Sequence, residues 1–530
     1  MIHRLDRALL FMSPLALFLP SGLSAQPVSS PASIIDTVII QSVNVFEEKE
    51  ATNFLFRAMN WIHVPTKPYV VRRELLFEPG EPFDSVRSAE TERNLRALLL
   101  FRDVDIDTAR VNGRLAAIVR TRDGWSLSPQ LALAVAGDGT TTFLVGVTER
   151  NLLGTGNLVL GLFRKDVDRN SVDLGGQFNR LFGTSLLAAG LVRLQTDGND
   201  GSWFVGMPFR AFEDRRSFRY AAEVFDGRVL QFRREDPAFV DTTFFQRRAF
   251  INRLIGGVAP VAGPARYLRV GAMAEVRREE YLFRQDRNLA IPDTVTGTVG
   301  VFLEYRRSQF VALRHLNGFT EGDIDLSDGV WLATKFAPAA FGWDRTGIGP
   351  RLVVRGGGLA FGDGFVKGSV EANGLFNSAG LDSGRVVLRF TAAKKLAPRH
   401  AVAFHAQGGV QESPPPGGEF DLGFNTPPRS FEPHAFTGTR SVWGTLEYRW
   451  FTWDEVLHLF GIGFAAFLDY GGAWYPDQPA RLGGNAGIGL RIASSLSTLA
   501  VTNRLDVGYR FGDGVRGNRW VVSFGPGFVF

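Results

Sequence analysis

The chain contains no cysteine, which excludes a disulfide framework and any thiolate metal site. Beyond the N-terminus it has no uninterrupted apolar run of about 18 residues, the least that a membrane-crossing helix needs. Like charges never gather into runs. The 59 lysines and arginines stand against 54 aspartates and glutamates, a formal charge of +5 over 530 residues. That balance gives no footprint for nucleic acid. Seven histidines are scattered, and none forms a metal-binding pair at helical spacing. His400 and His405, five apart on a strand-like segment, point to opposite faces. No serine sits in a Gly-x-Ser-x-Gly elbow, and Gly356-Gly357-Gly358 lacks the context of a phosphate loop. The expectation is a protein that is not an enzyme and needs no metal or cofactor.

The chain is rich in other things: 60 glycines, 45 phenylalanines and ten tryptophans beside 21% charged residues. Rings for an interfacial girdle, glycines for turns and charges for a wet interior are the needs of a membrane barrel. At the N-terminus Arg4 and Arg7 precede the apolar stretch Ala8 to Leu19, and Leu23-Ser24-Ala25 follow. Basic start, short apolar core and small-residue cut site make residues 1–25 a secretory signal peptide. The apolar core is too short to span a bilayer. An exported chain without disulfides must then be held by its core or by closed hydrogen bonding.

Residues 26–36 are Ser/Pro-rich and read as a linker. Residues 37–123 read as a small mixed α/β domain. Val38 and Ile40 alternate with Ile39 and Gln41 at the period of a strand. Segments 49–60 and 68–77 have helical composition. Asp84 is placed as the N-cap of a helix running to about Leu100, with Thr91, Leu95, Leu98 and Leu99 on one stripe. Val104, Ile106 and Thr108 then share one strand face, Leu115, Ala117 and Val119 another, and Asn112-Gly113 between them signals a hairpin. The order is β-α-α-β-β.

From Trp125 onward helical periodicity gives way to segments of about ten residues that alternate apolar with polar. Leu505, Val507, Tyr509 and Phe511 are assigned to lipid, and Thr502, Arg504, Asp506 and Arg510 to the lumen. Val442, Leu446, Tyr448 and Trp450 oppose Trp443, Thr445, Glu447 and Arg449; Val386, Leu388 and Phe390 oppose Arg385 and Arg389. A charge on the lipid side costs about 2–4 kcal/mol at mid-depth, so such consistent sorting carries information. A soluble sandwich alternates too, and the signal peptide and ring content favour the membrane. An open sheet would leave unpaired backbone groups in hydrocarbon. The expected fold is therefore a transmembrane β-barrel of about 16 antiparallel strands over residues 125–530, with one small N-terminal α/β domain.

The chain ends Ser523-Phe524-Gly525-Pro526-Gly527-Phe528-Val529-Phe530, and this run resembles the C-terminal signal of outer-membrane barrels. Gly525, Pro526 and Gly527 also weaken the final strand, since proline cannot donate to a ladder and glycine adds no packing. The seam between last and first strands is expected to be weakly bonded. Arg150-Asn151-Leu152-Leu153-Gly154-Thr155-Gly156-Asn157 resembles a stretch ending an early barrel strand in the BamA/TamA family of outer-membrane assembly and translocation proteins. The N-terminal domain, with Arg73-Glu74-Leu75, Gly80-Glu81-Pro82-Phe83-Asp84 and Phe101-Arg102-Asp103-Val104, is similar to that family's polypeptide-transport-associated (POTRA) domain. The prolines 414–416 and 427–428 followed by Arg429-Ser430-Phe431 resemble the Arg-Gly-Phe/Tyr motif of its sixth extracellular loop. Phe467-Leu468-Asp469-Tyr470-Gly471 resembles the partner motif on the barrel wall.

The resemblance covers nearly all of the mature chain. It implies an outer-membrane barrel with its POTRA-like domain in the periplasm, inserting proteins into the membrane or moving them across it. Unfolded outer-membrane or secreted polypeptides would be received by the POTRA edge and passed through the seam or lumen. Membrane lipid and periplasmic or inner-membrane helper proteins are further implied partners. The resemblance pairs Arg429 with Asp469, a guanidinium fork on a carboxylate. Ser430 departs from the family's glycine, which puts the loop tip in doubt. Two alternatives remain at this point: a dedicated secretion pore for one partner, and a passive outer-membrane pore. Dedicated pores of the family carry two POTRA domains and a plug helix, and one module with no such helix is found here.

Overall fold

The computed structural model describes residues 34–46, 54, 57, 60, 61, 63–135, 141–233, 241–284, 293–316, 318, 319, 322–415, 417–423, 426–457, 459–494 and 502–526. The signal peptide, most of the linker, most of segment 49–60, and Gly527, Phe528 and Phe530 lie outside the described residues.

The N-terminal module is a three-stranded sheet with helices on it. Strand β1 (Thr37–Val43) runs parallel to β3 (Arg114–Asp123), and β2 (Phe101–Val111) flanks β3 on the other side. Asn112 and Gly113 join β2 to β3 with positive φ at both positions, which is why a two-residue turn can close the hairpin. Helix α1 (Pro68–Arg72) starts with proline, whose missing N–H costs nothing there. Segment 68–77 is helical only over these five residues. Beyond them Phe77 turns into the core, and the Leu76 amide donates to the hydroxyl of Thr91 instead of continuing the helix. Helix α2 (Ser85–Ala97) begins at Asp84, whose carboxylate accepts from the Val86 amide at 2.8 Å. Thr91 and Leu95 on its inner stripe are fully buried, and Leu95 packs with Val71, Phe77, Leu100, Ala117 and Val119.

Twenty strands among the described residues close into one barrel. The first six are short: β4 (Leu127–Val135), β5 (Thr141–Glu149), β6 (Leu158–Lys165), β7 (Asn170–Phe178), β8 (Leu187–Gln195) and β9 (Gly198–Met207). Long strands follow: β10 (Arg216–Arg233), β11 (Asp241–Val261), β12 (Arg266–Arg284) and β13 (Thr294–Arg307). After a small hairpin, β14 (Phe310–Leu313) and β15 (Gly322–Asp325), the wall resumes with β16 (Asp328–Ala337), β17 (Gly347–Ala360), β18 (Gly364–Asn377), β19 (Gly380–Ala397) and β20 (His400–Glu412). A second hairpin, β21 (Phe420–Leu422) and β22 (Phe436–Gly438), precedes β23 (Arg440–Val456), β24 (Phe460–Trp474), β25 (Gly483–Ser494), β26 (Thr502–Gly512) and β27 (Trp520–Pro526). Strand β27 adjoins β4 and closes the ring.

The expected count of about 16 is thus too low. The six early strands are eight to ten residues long, and in sequence such short strands are hard to separate from bulges. Side chains sort as the dyad pattern requires. Val442, Leu446, Tyr448 and Trp450 are exposed on the outside, and Thr445, Glu447 and Arg449 are buried inside. Leu505, Val507 and Tyr509 face out while Arg504, Asp506 and Arg510 are buried. Val386, Leu388 and Phe390 are likewise exposed. No described helix is long and apolar enough to cross a membrane. A closed wall with an apolar outside and a charged inside leaves no ladder group unpaired in lipid.

The chain enters β4 from the module, so odd and even connections fall at opposite ends of the barrel. The β14–β15 hairpin lies at the module end and the β21–β22 hairpin at the far end.

Candidate functional site: a loop locked into the lumen

The described residues of 413–439, between β20 and β23, turn inward instead of standing off the barrel. Phe431 and Phe436 have no exposure and pack at 5.2 Å between ring centroids. They share a cluster with Phe420, Leu422, Val387 and Ala473. Strand β24 presents Phe467, Asp469 and Gly471 on its inner face at every second residue. The first two touch Arg429 of the loop. A Cβ at Gly471 would meet Trp443 Cβ at 2.4 Å, so only glycine lets β24 lie this close to β23 there.

Arg429 and Asp469 are both fully buried. The guanidinium makes a two-point contact, Nε to Oδ2 at 2.6 Å and Nη2 to Oδ1 at 3.1 Å, and the Arg429 amide donates to Oδ2 at 3.0 Å. Its face lies 4.2 Å from the Phe467 ring centroid, a cation–π contact in a dry place. The third nitrogen, Nη1, reaches Asp506 at 3.1 Å and Glu447 at 3.4 Å. Asn485 Nδ2 donates to the Arg429 carbonyl at 3.1 Å.

Around this pair the wall supplies more charge. Arg491 bridges Asp506 (2.6 Å) and Glu447 (2.8 Å). Arg504 donates to Asp506 at 2.7 Å and Arg449 to Glu447 at 2.7 Å. Every one of these residues is under a tenth exposed. Burying them alone would be costly; joined, each charge has its partners. Glu447, Asn485, Arg491, Arg504 and Asp506 were not expected as site residues. The alternation marks Glu447, Arg504 and Asp506 as lumenal, but nothing in sequence spacing tells which lumenal charges meet Arg429 across separations of 18 to 77 residues.

Ser430 adopts φ +68, the left-handed region that glycine favours. Its hydroxyl compensates by hydrogen-bonding the Ser523 hydroxyl of β27 at 3.0 Å, and Arg510 donates to its carbonyl at 3.4 Å. The loop tip is therefore fastened to the last strand of the wall.

A second segment packs against the wall at the other end. The described residues of 308–327 bury Leu316, Phe319, Ile324 and Leu326 against Phe365, Ala401 and Phe451 of the wall. Arg449 donates to the Leu316 carbonyl at 2.8 Å, so one guanidinium touches both this segment and the network of Arg429. The module reaches it as well, through a two-point contact of Arg96 on Asp323 (2.8 and 3.1 Å).

Asn151, Gly154 and Gly156 form the joint between module and barrel. Asn151 is buried, donates to Thr66 Oγ1 at 2.9 Å and accepts from the Gly156 amide at 2.9 Å. Gly154, at φ +74, faces the Pro65 carbonyl, where a Cβ would stand at 2.5 Å. Gly154 O accepts from the Lys67 amide at 3.0 Å. Gly525 and Pro526 lie opposite Arg504 and Asn503 of β26 at the end of the β27 ladder. Gly525 thus sits beside the charge network, and Gly527, Phe528 and Phe530 beyond it are not described.

Neither a protein-family model nor a curated protein sequence matches the chain. Among solved structures it is similar to CdiB from Escherichia coli (11% identity, 96% of this chain and 92% of that one, TM-score 0.46). It is also similar to CdiB from Acinetobacter baumannii (11%, 93% and 74%, TM-score 0.46). A BamA from Haemophilus ducreyi lacking POTRA domains 1–3 aligns at 12% identity over 92% of this chain and 83% of that one, with TM-score 0.39.

Proposed function

We propose that this chain is an outer-membrane assembly, insertion or translocation factor of BamA/TamA type. Its N-terminal module, read as a POTRA-like domain in the periplasm, receives an unfolded polypeptide at the free edge of β1 or β2, a recognised mode of peptide capture. The barrel then passes the client through the β27–β4 seam or the lumen. The observation that carries this reading is Arg429 of the inturned loop held by Asp469, with the loop tip fastened to β27 through Ser523. A loop tied to the last strand can respond when that strand moves. The step needs no nucleotide, since a client barrel in lipid is downhill once its backbone is paired.

A passive pore is disfavoured by the two inturned segments, 308–327 and 413–439. A dedicated secretion pore for one partner would share the same parts. In-cell photocrosslinking tests the proposal, with reactive residues at Phe528 and in β1 and β2. Capture of many barrel proteins supports an assembly factor, capture of one exported protein supports the dedicated pore, and no captured polypeptide refutes both.

A further inference from the structure

Two turns at the module end of the barrel are built alike. One holds Leu152-Leu153-Gly154-Thr155 between β5 and β6, the other Leu181-Phe182-Gly183-Thr184 between β7 and β8. In each, the amide of the first leucine donates to a carbonyl five residues on: Leu152 to Asn157 (2.9 Å) and Leu181 to Leu186 (2.8 Å). In each, the threonine hydroxyl returns to that leucine's carbonyl, at 2.6 and 2.7 Å. The second residue is left-handed in both, φ 54 at Leu153 and φ 52 at Phe182. Bulky residues avoid that region, and its recurrence in two turns argues that the position is used.

In each turn this bulky left-handed residue is strongly exposed. Leu153 is 67% and Phe182 89% exposed. The glycine after each faces the module instead: a Cβ at Gly154 would touch the Pro65 carbonyl, and one at Gly183 would lie 3.3 Å from Arg73 Nη2. The two turns thus hold opposite ends of α1. The second adds Arg180, which donates to the Arg73 carbonyl at 2.6 Å and to Glu74 at 3.0 Å. The apolar side chain stands clear of these contacts. The outward apolar band of the same strands, Val145 and Val147 on β5 and Val172, Leu174 and Phe178 on β7, runs down to these turns.

We infer that Leu153 and Phe182 are lipid anchors, inserted in the headgroup–acyl boundary of the leaflet at the module end. Each turn then clamps α1 with its glycine side and grips the bilayer with its apolar tip. The module is thereby held at a fixed height against the membrane beside the seam. This rests on the wall spanning a bilayer, and the occupant is lipid because the tips continue the lipid-facing band.

The absence of cysteine makes the test clean. Leu153→Cys, Phe182→Cys, a mid-wall control Val507→Cys and a module-tip control Asn112→Cys each give one spin-labelled full-length protein in phospholipid nanodiscs. Collision rates with oxygen and with a water-soluble nickel chelate report depth. Labels at 153 and 182 should favour oxygen several-fold over the chelate, as at 507, while the label at 112 favours the chelate. Chelate-accessible labels at 153 and 182, or labels shielded from both reagents by protein, overturn the inference. If the label at 507 is also in water, it is the membrane-spanning reading that fails.

Discussion

Arg429 is anchored by three different carboxylates with no water access, so its loss should be felt as an unpaired buried charge. Asp469→Asn or Arg429→Ala is expected to cost about 3–5 kcal/mol of the loop's closed state. The readout is protease cleavage within 413–439 in intact detergent-solubilised protein, absent in the parent and prominent in either variant. Arg429→Lys should fall nearer to Arg429→Ala than to the parent, because an ammonium cannot make the two-point contact. Unchanged protection in Asp469→Asn would refute the lock. Ser430 sets two effects against each other. Its left-handed backbone costs about 1–2 kcal/mol, while its bond to Ser523 contributes about 0.5–1.5 kcal/mol. Ser430→Gly should therefore be near neutral by urea titration, whereas Ser430→Ala keeps the strain, loses the bond and should lower stability by about 1 kcal/mol. The serine at a position where glycine was expected was legible as a departure. That its hydroxyl finds Ser523, 93 residues away, was not.

Single elements carry predictions of a different kind. In the β21–β22 hairpin, His434 Nδ1 lies 2.5 Å from Asp421, and its Nε2 lies 3.4 Å from Asp168 of the β6–β7 connection. Burial pushes its pKa down, but the hydrogen bonds and charges of the two carboxylates outweigh this and raise it from 6.5 to about 9. A raised histidine pKa contributes stability that is complete below about 6.5 and lost as pH rises through about 9. The β21–β22 hairpin should thus become protease-sensitive between pH 7 and 10, and His434→Phe should abolish that pH dependence. At the other end of the molecule, Asp123 is raised to about 6 chiefly by burial, against the lowering effect of the Thr66 amide. The folded module then binds more protons than the unfolded chain between about pH 4 and 6, so this group makes it less stable as pH rises through that window. The joint is testable sterically. Gly154→Ala would press a Cβ onto the Pro65 carbonyl, whereas Gly113→Ala meets nothing within 4 Å. Only the first should free the module from the barrel, read as new protease access around residues 124–127. The β-α-α-β-β order was legible from Asp84, Asn112 and Gly113. The use of the Asn151–Asn157 turn as a socket for α1 was hidden, because the contact joins segments about 85 residues apart.

For the whole molecule, the two inturned segments meet through Arg449, which touches both the Leu316 carbonyl and Glu447. Reconstituted in planar bilayers, the parent should conduct weakly. Arg96→Ala with Asp323→Ala should loosen the module-end segment and Asp469→Asn the far-end loop, so that combining them opens the lumen more than either does alone. Equal high conductance in the parent would refute a lumen closed from both ends.

Apolar–polar alternation by itself determined that residues beyond Trp125 form a wall with a greasy outside and a charged inside, because side-chain direction in a strand is fixed locally by the period of two. Capping and turn residues likewise determined the module's helix start at Asp84 and its hairpin at Asn112-Gly113, because both depend on neighbours two or three residues away. Closure at twenty strands among the described residues, the burial of two connections in the lumen and the addition of Glu447 and Asp506 to the Asp469 partner that the family resemblance implied were decided only by tertiary structure. Strand count depends on how the ring closes, and charge pairing on which lumenal residues face one another across it. Both are distances through space that no local pattern encodes.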